Sequence, residues 1–172
     1  MTLVCVQCVC DERVLMAKNG RELIYFQELV QTLNVCDTIH IGFHGEDYPY
    51  VLPVSFGFDI VDSQVVVYFR SKEDGFKQEL IAKDPRVCVQ AEILYNYFDI
   101  PREYVSCSYG SIIAYGKVEE LPKEEYENAM ELILTHCGYE GFTYDKGILD
   151  QSRMYKIVLK NMTGRENLKQ VR

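Results

Sequence analysis

The sequence predicts a mainly β, α+β fold: a small antiparallel β-barrel of about six strands with flanking helices. Three observations predict it. Apolar residues alternate with small or polar ones at a period of two in one segment after another. The turns between several of these segments are short and polar, as hairpins require. Only about three stretches carry helical spacing, too few for a doubly wound sheet. At 172 residues, 48% hydrophobic and 26% charged, the chain has the size and balance of one domain able to bury a core.

The elements follow in order. Leu23, Phe26, Val30 and Leu33 recur at helical spacing and predict a packing helix over 21–34. Ile39, Ile41 and Phe43 then alternate with Thr38, His40 and Gly42, and the turn His44-Gly45-Glu46-Asp47 reverses the chain into a second strand over 48–58. In that strand Tyr50, Leu52, Val54, Phe56 and Phe58 form a large, core-directed face, and Val51, Pro53, Ser55 and Gly57 a small one. The small face leaves room either for a flat ligand or for a closely packed neighbouring element, and Pro53 argues against a central ladder position. A turn over 59–64 leads to the strand Val65 to Phe69. Asp74 is placed to cap a helix over 75–83 that Pro85 stops. Val87, Val89, Ala91 and Ile93 alternate again, a polar aromatic loop over 95–103 follows, and a long strand over 104–119 carries Gly110 and Gly116 as bends or bulges. Pro122 opens a helix with Tyr126, Ala129, Met130, Ile133, Leu134 and Cys137 on one face, and Gly138 closes it. Tyr155, Ile157 and Leu159 form the last strand.

A net charge of −8 with scattered cations argues against a nucleic-acid footprint. No apolar run is long enough to span a bilayer, and the first residues lack a basic signal-peptide start, so no membrane role and a cytoplasmic location are expected. Seven cysteines at irregular spacing suit a reducing compartment. Residues 1–20 read as an N-terminal extension carrying Cys5, Cys8 and Cys10, and 21–172 as the barrel domain. The three thiols suit a soft metal or a redox pair. A zinc or iron–sulfur site wants a fourth ligand, and Cys36 is the only other cysteine in the first third of the chain. The stronger reading is therefore a short strand in which the thiols act as small hydrophobes beside Val4, Val6 and Val9, and no metal is assigned.

One run stands out: Arg70-Ser71-Lys72-Glu73-Asp74-Gly75-Phe76-Lys77. Lys77 falls in the first turn of the predicted helix, where the dipole is already positive and a cation is unfavourable without a nearby anion. Arg70, Ser71, Lys77 and free backbone N–H groups together compose a phosphate cradle. Taken alone, the same residues also describe a solvated charged turn.

With Tyr48-Pro49-Tyr50-Val51-Leu52-Pro53-Val54-Ser55-Phe56-Gly57-Phe58-Asp59, Val67-Tyr68-Phe69-Arg70-Ser71, Gly75-Phe76-Lys77, Asp84-Pro85-Arg86-Val87-Cys88, Ser108 to Lys117 and Met162-Thr163-Gly164-Arg165 in this order, the chain resembles the pyridoxamine 5′-phosphate oxidase-like, FMN-binding split-barrel family. The nitroimidazole-resistance-like branch is the part of the family it resembles most. The resemblance runs over about 21–166 and implies a six-stranded antiparallel FMN-binding split β-barrel working as a homodimer, with FMN between the subunits. It implies that Arg70, Ser71 and Lys77 hold the FMN phosphate, that Pro53, Val54, Ser55 and Phe56 lie along the isoalloxazine ring, and that Ser111 faces the flavin from the partner subunit.

The chain departs from the family in two ways. Many members of the branch carry histidine where this chain has Arg70, which shifts expectation away from nitro-reduction. The chain ends Lys169-Gln170-Val171-Arg172, without the arginine-containing substrate motif of vitamin B6 oxidation. The expected activity is a flavoprotein oxidoreductase that passes electrons to a small organic acceptor, nitroreductase-like or related. NAD(P)H would be the donor, stacking transiently because no Rossmann fingerprint is present. His40, His44 and Tyr109 are available as proton donors, but none is assigned as catalytic. The alternative is a non-catalytic FMN- or haem-binding sensor or store, for which His40, His44 and His136 are the only histidines.

Overall fold

The computed structural model describes residues 21–168. The Cys5, Cys8 and Cys10 cluster, the rest of the N-terminal extension and the last four residues lie outside the described residues. Among the described residues, nine antiparallel strands and four α-helices run in the order β1 (Arg21–Leu23), α1 (Phe26–Asn34), β2 (Ile39–Phe43), β3 (Tyr50–Val54), β4 (Phe56–Val61), β5 (Gln64–Lys72), α2 (Phe76–Lys83), β6 (Arg86–Ile100), β7 (Tyr104–Glu120), α3 (Tyr126–His136), α4 (Gly147–Asp150), β8 (Ser152–Val158) and β9 (Lys160–Asn167).

The predicted class holds, and the strand count rises from six for three local reasons. Residues 21–23 are not helical. The Arg21 guanidinium donates to Glu28 at 2.8 Å and to Glu166 at 2.6 Å, which pins this segment against β9. The helix therefore begins at Phe26, where the Tyr25 amide donates to the Glu28 carboxylate at 3.3 Å. The 48–58 strand breaks at Ser55 into β3 and β4. The third addition is β9, which returns along β7 after Leu159.

The break at Ser55 shapes the whole molecule. Strand order is β3-β2-β6-β7-β8-β5-β4, so the two edge strands are consecutive in the chain with one residue between them. The sheet is wrapped round on itself and joined there by covalent chain rather than by a ladder. β7 carries the other division: it pairs β6 along one edge, while its second edge is shared between β9 (Tyr109 to Tyr115) and β8 (Val118 to Glu120).

The core follows from the alternation. Ile39, Ile41 and Phe43, Val65, Val67 and Phe69, Val87, Val89 and Ala91, and Ile112 and Ala114 all point inward and are at most 4% exposed. Burying side chains of this size contributes about 1.5–3 kcal/mol each. α3 covers one side with Tyr126, Ala129, Met130 and Ile133 over Leu149 and Met154, as the helical spacing predicts, while Cys137 is exposed. A 3-10 turn over Lys123–Glu125 precedes α3.

Two glycines answer to close approach rather than to bends. A Cβ on Gly116 would lie 2.3 Å from Ile157, and one on Gly110 2.9 Å from Thr32. The irregularities in pairing fall elsewhere, between Leu94 and Asn96 on β6 and between Ile113 and Tyr115 on β7. The predicted loop over 95–103 is instead a projecting hairpin. β6 and β7 stay paired out to Ile100 and Tyr104, the register resuming at Asn96 opposite Ser108 past the irregularity.

Candidate functional site

β5 and the start of α2 build a groove of about 420 Å³, bordered by Tyr50, Leu52, Arg70, Ser71, Lys77 and Gln78 among others. Along β5, Val65, Val67, Phe69 and Ser71 face the barrel interior, while Arg70 and Lys72 face outward. Ser71 is 8% exposed. The next residues turn into α2 through Gly75, whose φ of 150° is a conformation that side-chain-bearing residues avoid. Gly75 is the N-cap, and no side chain caps the helix. Asp74 therefore does not act as the predicted cap, although it borders the groove. α2 runs over eight residues, and its first-turn amides add donors at this end.

Lys77 is the cation at this helix start. Its ammonium lies 5.6 Å from the centre of the Phe69 ring, and burial pushes its pKa below the ordinary lysine value. Among the described residues no carboxylate forms an ion pair with it. A half-buried ammonium at the positive end of a helix, without a counter-ion, is an electrostatic cost that a bound anion removes. Gln78 completes the cradle: its side-chain nitrogen donates to Ser71 Oγ at 2.9 Å and to the Lys72 carbonyl at 2.6 Å.

Arg70 differs from Ser71 and Lys77. It stands on the opposite face of β5, and its guanidinium donates to Ser152 Oγ at 3.1 Å. Ser152 in turn donates to the Ile148 carbonyl at 2.6 Å. The four strand residues also separate. Pro53 and Ser55 are exposed, Val54 is half-buried against the core, and the Phe56 side chain is fully buried. The Phe56 ring lies 4.2 Å from the His136 ring, leaving only its backbone free for a ligand. The small face of this strand divides in two. Val51, Pro53 and Ser55 are open, whereas a Cβ on Gly57 would lie 2.3 Å from the Leu132 backbone of α3.

A second region spans the outer face of β3, β2, β6, β7 and β9. It holds a cleft of about 1250 Å³ lined by His40, His44, Val51, Cys88, Gln90 and Tyr115 among others. Val51, Ile113 and Tyr115 are 58%, 44% and 53% exposed on this face, an unusual density of open apolar surface. Ser111 lies on the same face, half-buried, with its hydroxyl 3.4 Å from the Arg165 carbonyl. His40 Nδ1 is buried with no hydrogen-bond partner among the described residues. Tyr109 stands opposite Leu94 and Asn167 on this sheet. His136 has a structural place instead, its Nε2 lying 2.9 Å from the Cys36 carbonyl. Sequence reasoning missed Gln78, a common surface residue type whose only signal was its place one residue after Lys77.

An antiparallel barrel split at β7 and closed through Ser55, with a cationic groove beside its edge strand, defines the class of split-barrel proteins. The chain belongs to the pyridoxamine 5′-phosphate oxidase family, whose model matches residues 27–166. Among solved structures it is similar to a candidate 5-nitroimidazole antibiotic resistance protein from Bacteroides thetaiotaomicron, at 23% identity and a TM-score of 0.74, covering 86% of this chain and 87% of that one. It is similar to a FAD-binding protein from Mesorhizobium loti, at 20% identity and a TM-score of 0.63, covering 87% and 99%. A FAD- and haem-binding protein from Mycobacterium smegmatis matches at 12% identity and a TM-score of 0.67, covering 85% and 73%. No curated protein sequence matches. Among the described residues no helix is long and apolar enough to cross a membrane.

Proposed function

We propose that the chain is an FMN-binding flavoprotein of the cytoplasm, an oxidoreductase that passes electrons from a nicotinamide nucleotide to a small organic acceptor. The observation that carries this reading is the convergence of Ser71, Gln78 and the unpaired Lys77 ammonium at the start of α2. The donor set fits a phosphate group: a cation, a hydroxyl and backbone amides surround a groove whose own electrostatics favour an anion. Family membership and the flavin named for two similar structures support the flavin as the group that carries the phosphate.

In this reading Ser71 and Lys77 hold the phosphate, while Arg70 stays on Ser152 and adds only longer-range positive charge beside the groove. The backbone of Pro53, Val54, Ser55 and Phe56 runs along the flavin ring, the edge position of β3 leaving amide and carbonyl groups free for it. Bound flavin supplies the electron-carrying chemistry, and the protein supplies orientation and exclusion of water. A second copy covering the outer sheet face would bury Val51, Ile113 and Tyr115 and bring its Ser111 toward the ligand, making the homodimer the working unit. The visible absorption spectrum of the protein after FMN addition and desalting tests the reading. A retained flavin band that bleaches with NADH or NADPH and returns with an added acceptor is the expected result. A colourless protein would overturn it, and a Soret band would move the assignment to haem.

A further inference from the structure

We propose that Gln78 is a positioning residue that commits the Ser71 hydroxyl to act as a donor, so that the groove selects a phosphomonoester dianion; this rests on the flavin-phosphate reading above. The argument begins with the Lys72 carbonyl, which can only accept a hydrogen bond. The Gln78 side-chain atom 2.6 Å from it is therefore the amide nitrogen. That nitrogen has one hydrogen left, and 2.9 Å away it meets Ser71 Oγ. Ser71 Oγ thus accepts from Gln78, and its own proton must point elsewhere. Ser71 is 8% exposed and borders the groove, and among the described residues its one side-chain hydrogen bond is the one it accepts from Gln78. The buried hydroxyl therefore offers a proton to the groove, in line with the Lys77 ammonium and the first amides of α2.

Three kinds of donor facing one space favour a ligand whose oxygens all accept. A phosphomonoester meets that requirement only as the dianion, since the monoanion carries an O–H that would point at a donor. The second ionisation of a phosphomonoester falls near a pKa of about 6, so the selection spans an accessible pH range. The charged and titratable groups around the space are Arg70 and Lys72 from β5, Lys77 from α2, Tyr50 from β3, Asp74 from the connecting loop and Arg153 opposite Ser71 on β8. The exposed Asp74 carboxylate opposes anions generally. A pyrophosphate diester such as that of FAD carries one charge per phosphate and makes less use of the cradle.

The test measures affinities of FMN, riboflavin and FAD for the full chain between pH 5 and 8, in the wild type and in Gln78→Leu, Ser71→Ala and the double variant. The expected wild-type result is an FMN advantage over riboflavin that shrinks as pH falls through about 6, with FAD weaker than FMN. Gln78→Leu should cut the FMN advantage by about tenfold, the value of one charge-assisted bond, and leave riboflavin unchanged. In the Ser71→Ala background the same substitution should cost nothing further, because the hydroxyl it orients is gone. Equal losses for FMN and riboflavin, or an additive double variant, would overturn the positioning role. A pH-independent FMN advantage in the wild type would overturn it without any variant. A wild type that binds FMN and riboflavin equally would overturn the flavin-phosphate reading itself, a separate result.

Discussion

The groove at α2 and the outer sheet face are both open, yet they differ in what holds them together. The groove is about 420 Å³, with a half-buried cation that has no carboxylate partner among the described residues. The outer face holds a cleft of about 1250 Å³ and presents half-exposed Val51, Ile113 and Tyr115. One region carries an electrostatic cost that a small anion would relieve; the other carries a hydrophobic one that a large surface would relieve. The larger space is thus not the better specified one. The proposed phosphate rests on three side chains in the groove, Ser71, Lys77 and Gln78, whereas the outer face offers a partner no particular contacts.

Substitutions that touch one region at a time break the comparison, and the largest effect belongs to the groove. Lys77→Ala removes a charge-assisted bond of about 1.5–3 kcal/mol and should weaken FMN by about ten- to a hundredfold in a fluorescence titration, with riboflavin nearly indifferent. Equal weakening of both would remove Lys77 from the phosphate site. Lys77→Met should also raise the melting temperature of the ligand-free protein, since it deletes a charge that burial penalises. On the outer face, Tyr115→Glu should weaken the proposed self-association by about tenfold in sedimentation equilibrium, a charge replacing an aromatic ring in a patch that the dimer would bury. An unchanged dimer would place the interface elsewhere.

Arg70→Ala separates the two cations of the groove. Because its guanidinium is engaged by Ser152 on the other face of β5, the loss of FMN affinity should stay within about threefold, a surface-pair magnitude. A loss equal to that of Lys77→Ala would show that Arg70 leaves Ser152 to reach the ligand.

The smallest effect lies outside both regions, at the clamp of Arg21 on Glu28 and Glu166. Burial alone would raise the Glu28 pKa, but hydrogen bonds from Arg21 and from the Tyr25 amide outweigh it and hold the value below the ordinary one. A carboxylate held low in the folded state contributes stability above its unfolded pKa and loses it as pH falls toward the folded value. Thermal unfolding should therefore show a small loss of stability below the ordinary glutamate range that Glu28→Gln flattens. An identical acid limb in the variant would mean that the clamp carries none of it.

Much of this arrangement is legible in the sequence because it rests on period and on placement. The alternation of Ile39, Ile41 and Phe43 locates a strand and its inner face, and Lys77 at a helix start marks the groove. What escapes is set by contacts distant in sequence. Residues 21–23 form a strand by pairing with β9, where Arg21 stands opposite Glu166 and bonds to it. The 95–103 hairpin stays paired although its polar residues read as a loop. Ser55 ends one strand and begins another because the barrel must close there, which no local pattern announces. Arg70 and Ser71 are neighbours in the chain, yet strand geometry places them on opposite faces. Gln78 becomes visible only when the Lys72 carbonyl and Ser71 hydroxyl are brought to it.

The most direct test of the central claim is a pair of titrations of the wild-type protein at neutral pH, one with FMN and one with riboflavin, which differ only by the phosphate. The phosphate cradle predicts that FMN binds at least about tenfold more tightly, the worth of one charge-assisted hydrogen bond. Equal affinities would contradict it, and would leave the start of α2 a charged turn and no more.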